Sequence, residues 1–446
     1  MISLTDMTEI LNCDLAITNA YILTLDDDFT EFAPGLILIR NGKLVYVGPD
    51  QPYAPRYKTT ETINARNKLV MPAFFNAHNH AGMSIYRGLG NDLVLDDWLN
   101  RFVWPMEAKF ATPENVHLGT LLSAMEMIRS GTNIFADMYF FEEEVARAAE
   151  EIGMRVILGE GILNFPTPHF DNAEKYFTYL EQMITQYRDH SLVGISISAH
   201  APYTCSDELL KRVSELAAYH QVPATIHLAE TQWEYDSYME RYGKTSTQYL
   251  ADLGFFDHHV VAYHCNYLSE TDRQILKQSG SGVATITHSN MKLASGVCPV
   301  KDLMNWGIPV AIGTDGPASN NNQSVLMDMR SSVLLQKTIE KDPTVLDTHT
   351  AIRMATSNGA KAYRMENQLG SLEIGKQADL IMIDTDQPHW QPMHDVYASI
   401  VYAMLPSDVE TVIVNGRVIM KDRELLQVDE KKILHQVKTL MKKMNQ

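Results

Sequence analysis

Between residues 69 and 313 the chain repeats one unit, a short apolar β run followed by a stretch with helical spacing. The runs are Leu69–Asn76, Thr132–Met138, Arg155–Gly159, Val193–Ala199, Pro223–His227, Val260–Tyr263, Gly282–Thr287 and Ile308–Gly313. They are largely apolar rather than strictly alternating, which is the pattern of parallel strands covered on both faces by helices. Eight such units can close on themselves, so the predicted fold is α/β, with a (β/α)₈ TIM-type barrel. One helix is delimited by its own chemistry. Thr112 stands at the N-cap, Pro113 at the first helical position, Glu114 in the first turn and Gly131 past the end.

The two ends of the chain read as β structure. Near the start, "GLILIRNGKLVYVGPD" carries Asn41-Gly42 as a hairpin turn, and near the finish "VETVIVNGRVIMKD" carries Asn415-Gly416. Neither end has strands enough for a core of its own, so both are expected to build one composite domain flanking the barrel. The predicted division is 1–65, 66–370 and 371–446, the last part finishing in an amphipathic helix from about Asp429 to Met444 with Ile433, Val437, Leu440 and Met444 as its apolar stripe.

Composition excludes several classes. The 55 acidic residues outnumber the 37 Lys and Arg, and the net charge of −18 opposes nucleic acid and anionic membrane surfaces as partners. Met1–Thr18 holds Asp6, Glu9 and Asp14 and has no basic stretch before an apolar core, so no export leader is expected. Four scattered cysteines, Cys13, Cys205, Cys265 and Cys298, signal neither a disulfide framework nor a thiolate metal site, and a cytoplasmic home follows.

The chemistry collects at strand ends. His78 and His80 form H-x-H after the first run, where the period of two turns both rings to one face. Alone, such a pair is within reach of chance in a chain with 16 His. However, His227, His264 and Asp315 close or follow the fifth, sixth and eighth runs, and His200 and His288 the fourth and seventh. The C-terminal rim of a barrel is where active sites sit. Three imidazoles and a carboxylate suit one divalent ion, zinc or iron, with a position left for water.

The segments "MPAFFNAHNHAGMSIYRGL", "WPMEAKF", "HAPYTCSDELLKRV", "HLAET", "HCNYLS" and "GTDGPASNN" resemble the amidohydrolase superfamily, in particular its 5′-methylthioadenosine/S-adenosylhomocysteine deaminase branch. The resemblance implies a barrel with a flanking β-sandwich and metal-dependent hydrolytic deamination of an adenosine-type nucleoside. It implies His78, His80, His227 and Asp315 as metal ligands. Glu230 would protonate ring nitrogen N1 while activated water adds to C6, Asp315 would carry a proton from the water to the departing ammonia, and His264 would orient the water. Glu107 resembles the acceptor for the ribose 2′- and 3′-hydroxyls and His200 the partner of adenine N3. Trp98, Phe102 and Trp104 are candidates for an apolar wall. By fold analogy a homo-oligomer is expected.

Two departures from the family pattern stand out. Some members hold a homocysteine carboxylate with arginines near the third strand, whereas "GILNFPTPHF" has none, so a compact neutral 5′ group is expected. His288 also runs straight into "SNMKLASG", which reads as a shortened loop. Strand four, "VGISISAH", lacks the lysine of dinuclear relatives, which leaves one metal. The competing readings are a deaminase or chlorohydrolase of guanine, cytosine, a pterin or a triazine, and an inactive barrel serving as a scaffold.

Overall fold

The computed structural model describes residues 10–445; Asp6 and Glu9, which support the leaderless expectation, lie outside the described residues. The first strands are β1 (Leu11–Leu23), β2 (Glu31–Arg40), β3 (Lys43–Pro49), β4 (Tyr57–Asn64) and β5 (Lys68–Pro72). There follow β6 (Phe74–Asn79), β7 (Thr132–Asp137), β8 (Arg155–Leu158), β9 (Gly161–Ile162), β10 (Val193–Ile195), β11 (Ile197–Ala199), β12 (Ala224–Leu228), β13 (Val260–His264), β14 (Gly282–Thr285) and β15 (Val310–Ile312). The last are β16 (Leu380–Asp384), β17 (Val409–Val414), β18 (Arg417–Lys421) and β19 (Glu424–Leu425).

Strands from both ends share one nine-stranded sheet in the order β19-β18-β17-β16-β5-β1-β2-β3, with β4 beside β1. The join is β5, antiparallel to β16 and parallel to β1. Lys68 fastens it by an ion pair to Asp384, 3.1 Å away and 316 residues on. The two Asn-Gly turns meet. Asn41, Gly42, Asn415 and Gly416 all have positive φ, as the turn requires, and a Cβ on Gly42 would stand 2.5 Å from Asn415 Oδ1.

The run expected over Leu69–Asn76 is therefore two strands in two sheets. Pro72 ends the first, since it has no N–H to continue a ladder, and the chain crosses at Ala73 into the parallel part. There the orders are β10-β8-β7-β6 and β15-β14-β13-β12-β11-β9, all parallel, with helices between. The third run ends at Leu158 and a further short strand, β9, follows just beyond it, while the fourth is broken into β10 and β11. Between β8 and β9, Gly159 lies so close to its neighbours that a Cβ would be 2.2 Å from Ser198 Oγ. Across the outer strands of these two sheets, Thr314 and Asp315 N–H donate to His78 O at 3.1 and 3.0 Å.

Both faces of these strands are buried, which is why their sequences are apolar throughout. Phe75, Ala77, Ile134, Ala136, Ile157, Val261, Tyr263, Ala284 and Ala311 form one cluster. Their strand neighbours Phe74, Phe135, Val156, Val260, Val283 and Val310 join the larger core with the helices. The helix Pro113–Arg129 begins as the sequence predicts, with Thr112 Oγ1 accepting from Asn115 N, and Gly131 follows its end at φ 90°. The terminal helix spans Glu430–Met444 with Asp429 as its N-cap and Ile433 buried.

One buried ion pair fastens the two parts together. Arg155 of β8 meets Asp379 through two hydrogen bonds of 2.6 and 3.0 Å, and Asp379 also accepts from Asn133 Nδ2 and Asn415 N. Both side chains are 6% exposed. Removing one partner strands the other charge, so Asp379→Ala should lower unfolding stability by about 3–5 kcal/mol, read as a fall in the urea midpoint.

Candidate active site

The strand ends bring the histidines and Asp315 to one point. His78 Nε2 is 3.2 Å from His227 Nε2 and 3.6 Å from Asp315 Oδ1, and His80 Nε2 is 3.1 Å from the same oxygen. The ligand atoms of His78, His80 and Asp315 all lie within 4.8 Å of one another, as do those of His78, His227 and His264. His264 and Asp315 have φ of 67° and 65°, a left-handed backbone that side chains other than glycine adopt at a cost of about 1–3 kcal/mol. Asp315 is held there by its backbone bond to His78 O, and Cys265 beside His264 by one to Leu228 O.

Second nitrogens decide which way the rings face. His80 Nδ1 donates to Met138 O, and His227 Nδ1 to His200 O at 2.6 Å. His264 Nδ1 donates to Asn290 Oδ1 at 2.8 Å. Each of these rings is then fixed with its Nε2 turned inward. Asp315 Oδ2 is occupied by the hydroxyls of Ser289 at 2.6 Å and Ser319 at 2.9 Å, which leaves Oδ1 to face the histidines.

Burial keeps His78 neutral, its pKa pushed down to about 3, and holds His227 well below the usual imidazole range. Burial acts against charge on His80 and Asp315 too, but their mutual attraction outweighs it: His80 rises to about 9 and Asp315 falls well below an ordinary carboxyl. Three convergent imidazole nitrogens and one buried anion form a donor set that a divalent cation completes, the cation taking the place of the proton that Asp315 draws onto His80; His78, His80, His227 and Asp315 fit it by type and by convergence.

Glu230 lies at the edge of this group, its Oε2 3.9 Å from His264 Nε2, and burial raises its pKa. Its backbone is fixed by Glu234, whose buried carboxylate accepts from Ala229 N at 2.8 Å, Glu230 N at 3.1 Å and Ser246 Oγ at 2.5 Å. The pattern Thr231-x-x-Glu234 is that of a capping box, a signal present in the sequence.

Glu107 and His200 line the same cavity of ≈ 710 Å³ as His80, His227, Glu230, His264 and Asp315. Glu107 accepts a 2.8 Å hydrogen bond from Tyr139 OH, and burial pushes its pKa up to about 7. His200 Nδ1 is engaged with Thr204 Oγ1 at 3.0 Å, which leaves Nε2 free. Trp98 and Trp104 line the cavity, whereas Phe102 lies against Gly90.

His288 does not join them. Strand β14 stops at Thr285, and His288 sits in the first turn of the helix Thr287–Leu293, bonded to Ser331 Oγ at 2.6 Å and to Asp328 Oδ2 at 3.1 Å. The β-branched run Thr285-Ile286-Thr287 disguised the strand end. The residues after Thr285 deliver Ser289 to Asp315 and Asn290 to His264. These second partners, with Tyr139, had no sequence signal of their own.

Residues 69–419 match the Amidohydrolase family. This chain belongs to that family. It is 41% identical over 425 residues to the 5-methylthioadenosine/S-adenosylhomocysteine deaminase of Syntrophobacter fumaroxidans, covering 95% of this chain and 97% of that one. It is likewise 41% identical over 431 residues to the 5′-deoxyadenosine deaminase of Methanosarcina mazei, covering 95% and 96% of the two chains. The solved structure of an adenosine deaminase from Xanthomonas campestris with bound zinc superposes with a TM-score of 0.95 at 32% identity, covering 98% of this chain and 100% of that one.

Proposed function

We propose that this amidohydrolase deaminates adenosine-type nucleosides, 5′-methylthioadenosine and adenosine among them, to the inosine analogue and ammonia, with one divalent ion, zinc or alternatively iron, held by His78, His80, His227 and Asp315. The observation that carries this reading is one cavity with Glu230 beside the ligand group and Glu107 buried in its lining. That pairing suits a molecule with a basic ring nitrogen and a diol. A free base, pterin or triazine lacks the diol.

The ion supplies Lewis acidity toward water when bound. Glu230, whose carboxyl burial favours in the protonated form, gives its proton to ring N1 as C6 becomes tetrahedral. Asp315, whose Oδ2 is held by two hydroxyls and whose Oδ1 accepts from Gly316 N and faces the histidines, takes a proton from the water at Oδ1 and passes it to the leaving ammonia. His264, pinned by Asn290, accepts at Nε2 and orients the attacking water. His200 presents Nε2 to adenine N3.

Glu107 binds the ribose hydroxyls as a two-fold acceptor, which only its ionised form can do. Because burial lifts its pKa to about 7, KM for adenosine should fall as pH rises from 6 to 8, as the carboxyl loses its proton. Glu107→Gln should raise KM by roughly tenfold and flatten that dependence; an unchanged KM profile in the variant would remove the assignment.

We further propose that the two parallel sheets are one closed (β/α)₈ barrel, supported by the bonds from Thr314 and Asp315 to His78. The flanking domain is then 10–72 with 371–445, the boundary falling at Ala73. All four cysteines are free thiols, which suits a cytoplasmic location. No helix among the described residues is long and apolar enough to cross a membrane.

The test of function is ammonia release from zinc-loaded protein with 5′-methylthioadenosine, adenosine, guanine and cytosine, beside chelator-treated samples. Turnover of the nucleosides that chelation abolishes is expected. Turnover of free bases alone would overturn the reading.

A further inference from the structure

Two further spaces share walls with the cavity around the ligand group and are its candidate exits. One, of ≈ 1660 Å³ and open outward, shares Leu95, Leu99, Trp104, Tyr203 and Leu293 with the inner one. The other is a side pocket of ≈ 560 Å³ behind Glu107, walled by Phe140, Leu163, Phe165, Pro166 and Pro168. Trp104 lines all three spaces. Its ring meets Phe165 edge to face, with centroids 5.5 Å apart, and Phe165 belongs to both exits. A nucleoside with its base at Glu230 and its diol at Glu107 must send its 5′ group past this aromatic pair, whichever exit it takes.

Neither exit is lined by Lys, Arg or His. The charged residues on their walls are Asp96 outward and Glu107 sideways. Of the cations close to these walls along the chain, Lys109, next to Ala108, is exposed and does not line them, and three others are engaged. His169, next to Pro168, is turned onto Glu160 at 2.9 Å; Arg101 pairs with Asp97 at 3.8 Å; Lys292 donates to Ala318 O at 3.1 Å.

The relatives' names combine three substrates that differ only at the 5′ position: two neutral groups, methylthio and deoxy, and the zwitterionic homocysteine tail. A carboxylate drawn from water into either exit would find no cation and would face Asp96 or Glu107. Desolvating an unpaired charge is among the most costly steps in binding. The ammonium of the tail has Asp96 as a partner, but its carboxylate has none. An apolar tail of the same length suffers no such loss and covers Trp104, Phe165 and the prolines instead.

Resting on the deaminase reading above, we propose that the enzyme selects uncharged, apolar 5′ groups, that Trp104 and Phe165 form the wall that does so, and that S-adenosylhomocysteine is discriminated against by charge and not by size.

The experiment compares kcat/KM of the zinc-loaded enzyme for 5′-methylthioadenosine, 5′-butylthioadenosine and S-adenosylhomocysteine. The butylthio compound matches the homocysteine tail in length and lacks its charges. The first two are expected within about tenfold of each other and the third about 100-fold lower. S-adenosylhomocysteine within tenfold of 5′-methylthioadenosine would overturn the proposal. So would a butylthio compound as poor as S-adenosylhomocysteine, because length would then be the cause. Phe165→Arg should raise the ratio of S-adenosylhomocysteine to 5′-methylthioadenosine activity by about tenfold; an unchanged ratio would remove Phe165 from the wall. No turnover of any of the three would instead sink the deaminase reading itself, an outcome distinct from turnover without selectivity.

Discussion

Glu230→Gln lowers kcat for adenosine deamination by about a thousandfold, with bound metal and KM close to those of the unaltered enzyme. The amide keeps the volume of the carboxyl, and the backbone of residue 230 stays anchored by Glu234 through Ala229 N and Glu230 N. What is lost is the proton. Burial raises the pKa of Glu230, which favours the protonated carboxyl that gives its proton to N1 when the ring nitrogen becomes basic in the transition state. Because Glu230 lies beside the donor set and not within it, metal content measured by atomic absorption should not change. A kcat within tenfold of the original would show that ring protonation comes from elsewhere.

Asp315→Asn has the second large effect, and it acts twice. It removes the one anion from a group whose other members are imidazoles, two of them held neutral by burial, so bound metal falls about tenfold or more at fixed zinc. It also removes the base at Oδ1, so activity at saturating zinc stays down by at least about a hundredfold. Ser319→Ala separates orientation from charge. It takes away one of two hydroxyls on Oδ2 and should lower kcat modestly while metal content holds. Full recovery of Asp315→Asn by excess zinc would mean that Asp315 is a ligand only.

Much of this site could be read from residue types at strand ends. His78, His80, His227, His264 and Asp315 follow apolar runs, and parallel strands send all their ends to one rim. The rule failed where the end of a run was misjudged. At His288 the β-branched residues beyond Thr285 continued a strand-like pattern into what is the start of a helix. At Leu69–Asn76 one apolar run served two sheets, and Pro72 was the mark that went unused. The hydroxyls of Ser289 and Ser319 and the amide of Asn290 were not legible, because each acts on a partner chosen by the tertiary fold. Glu234 was legible in principle, through the capping pattern of Thr231-x-x-Glu234.

The pairing of β5 with β16 also imposes a schedule on the growing chain. Lys68 and Asp384 are separated by 316 residues, so at about 5–20 residues per second the first strands leave the ribosome roughly 15–60 seconds before their partner exists. During that interval the edge of β5 that will meet β16 has nothing to pair with, and Leu69, Val70 and Met71, all buried in the finished protein, have one side bare. The nascent chain is thus a more vulnerable object than the mature enzyme. Holdase chaperones and growth temperature should govern the yield of this protein through its first 72 residues, long before the catalytic rim has been assembled.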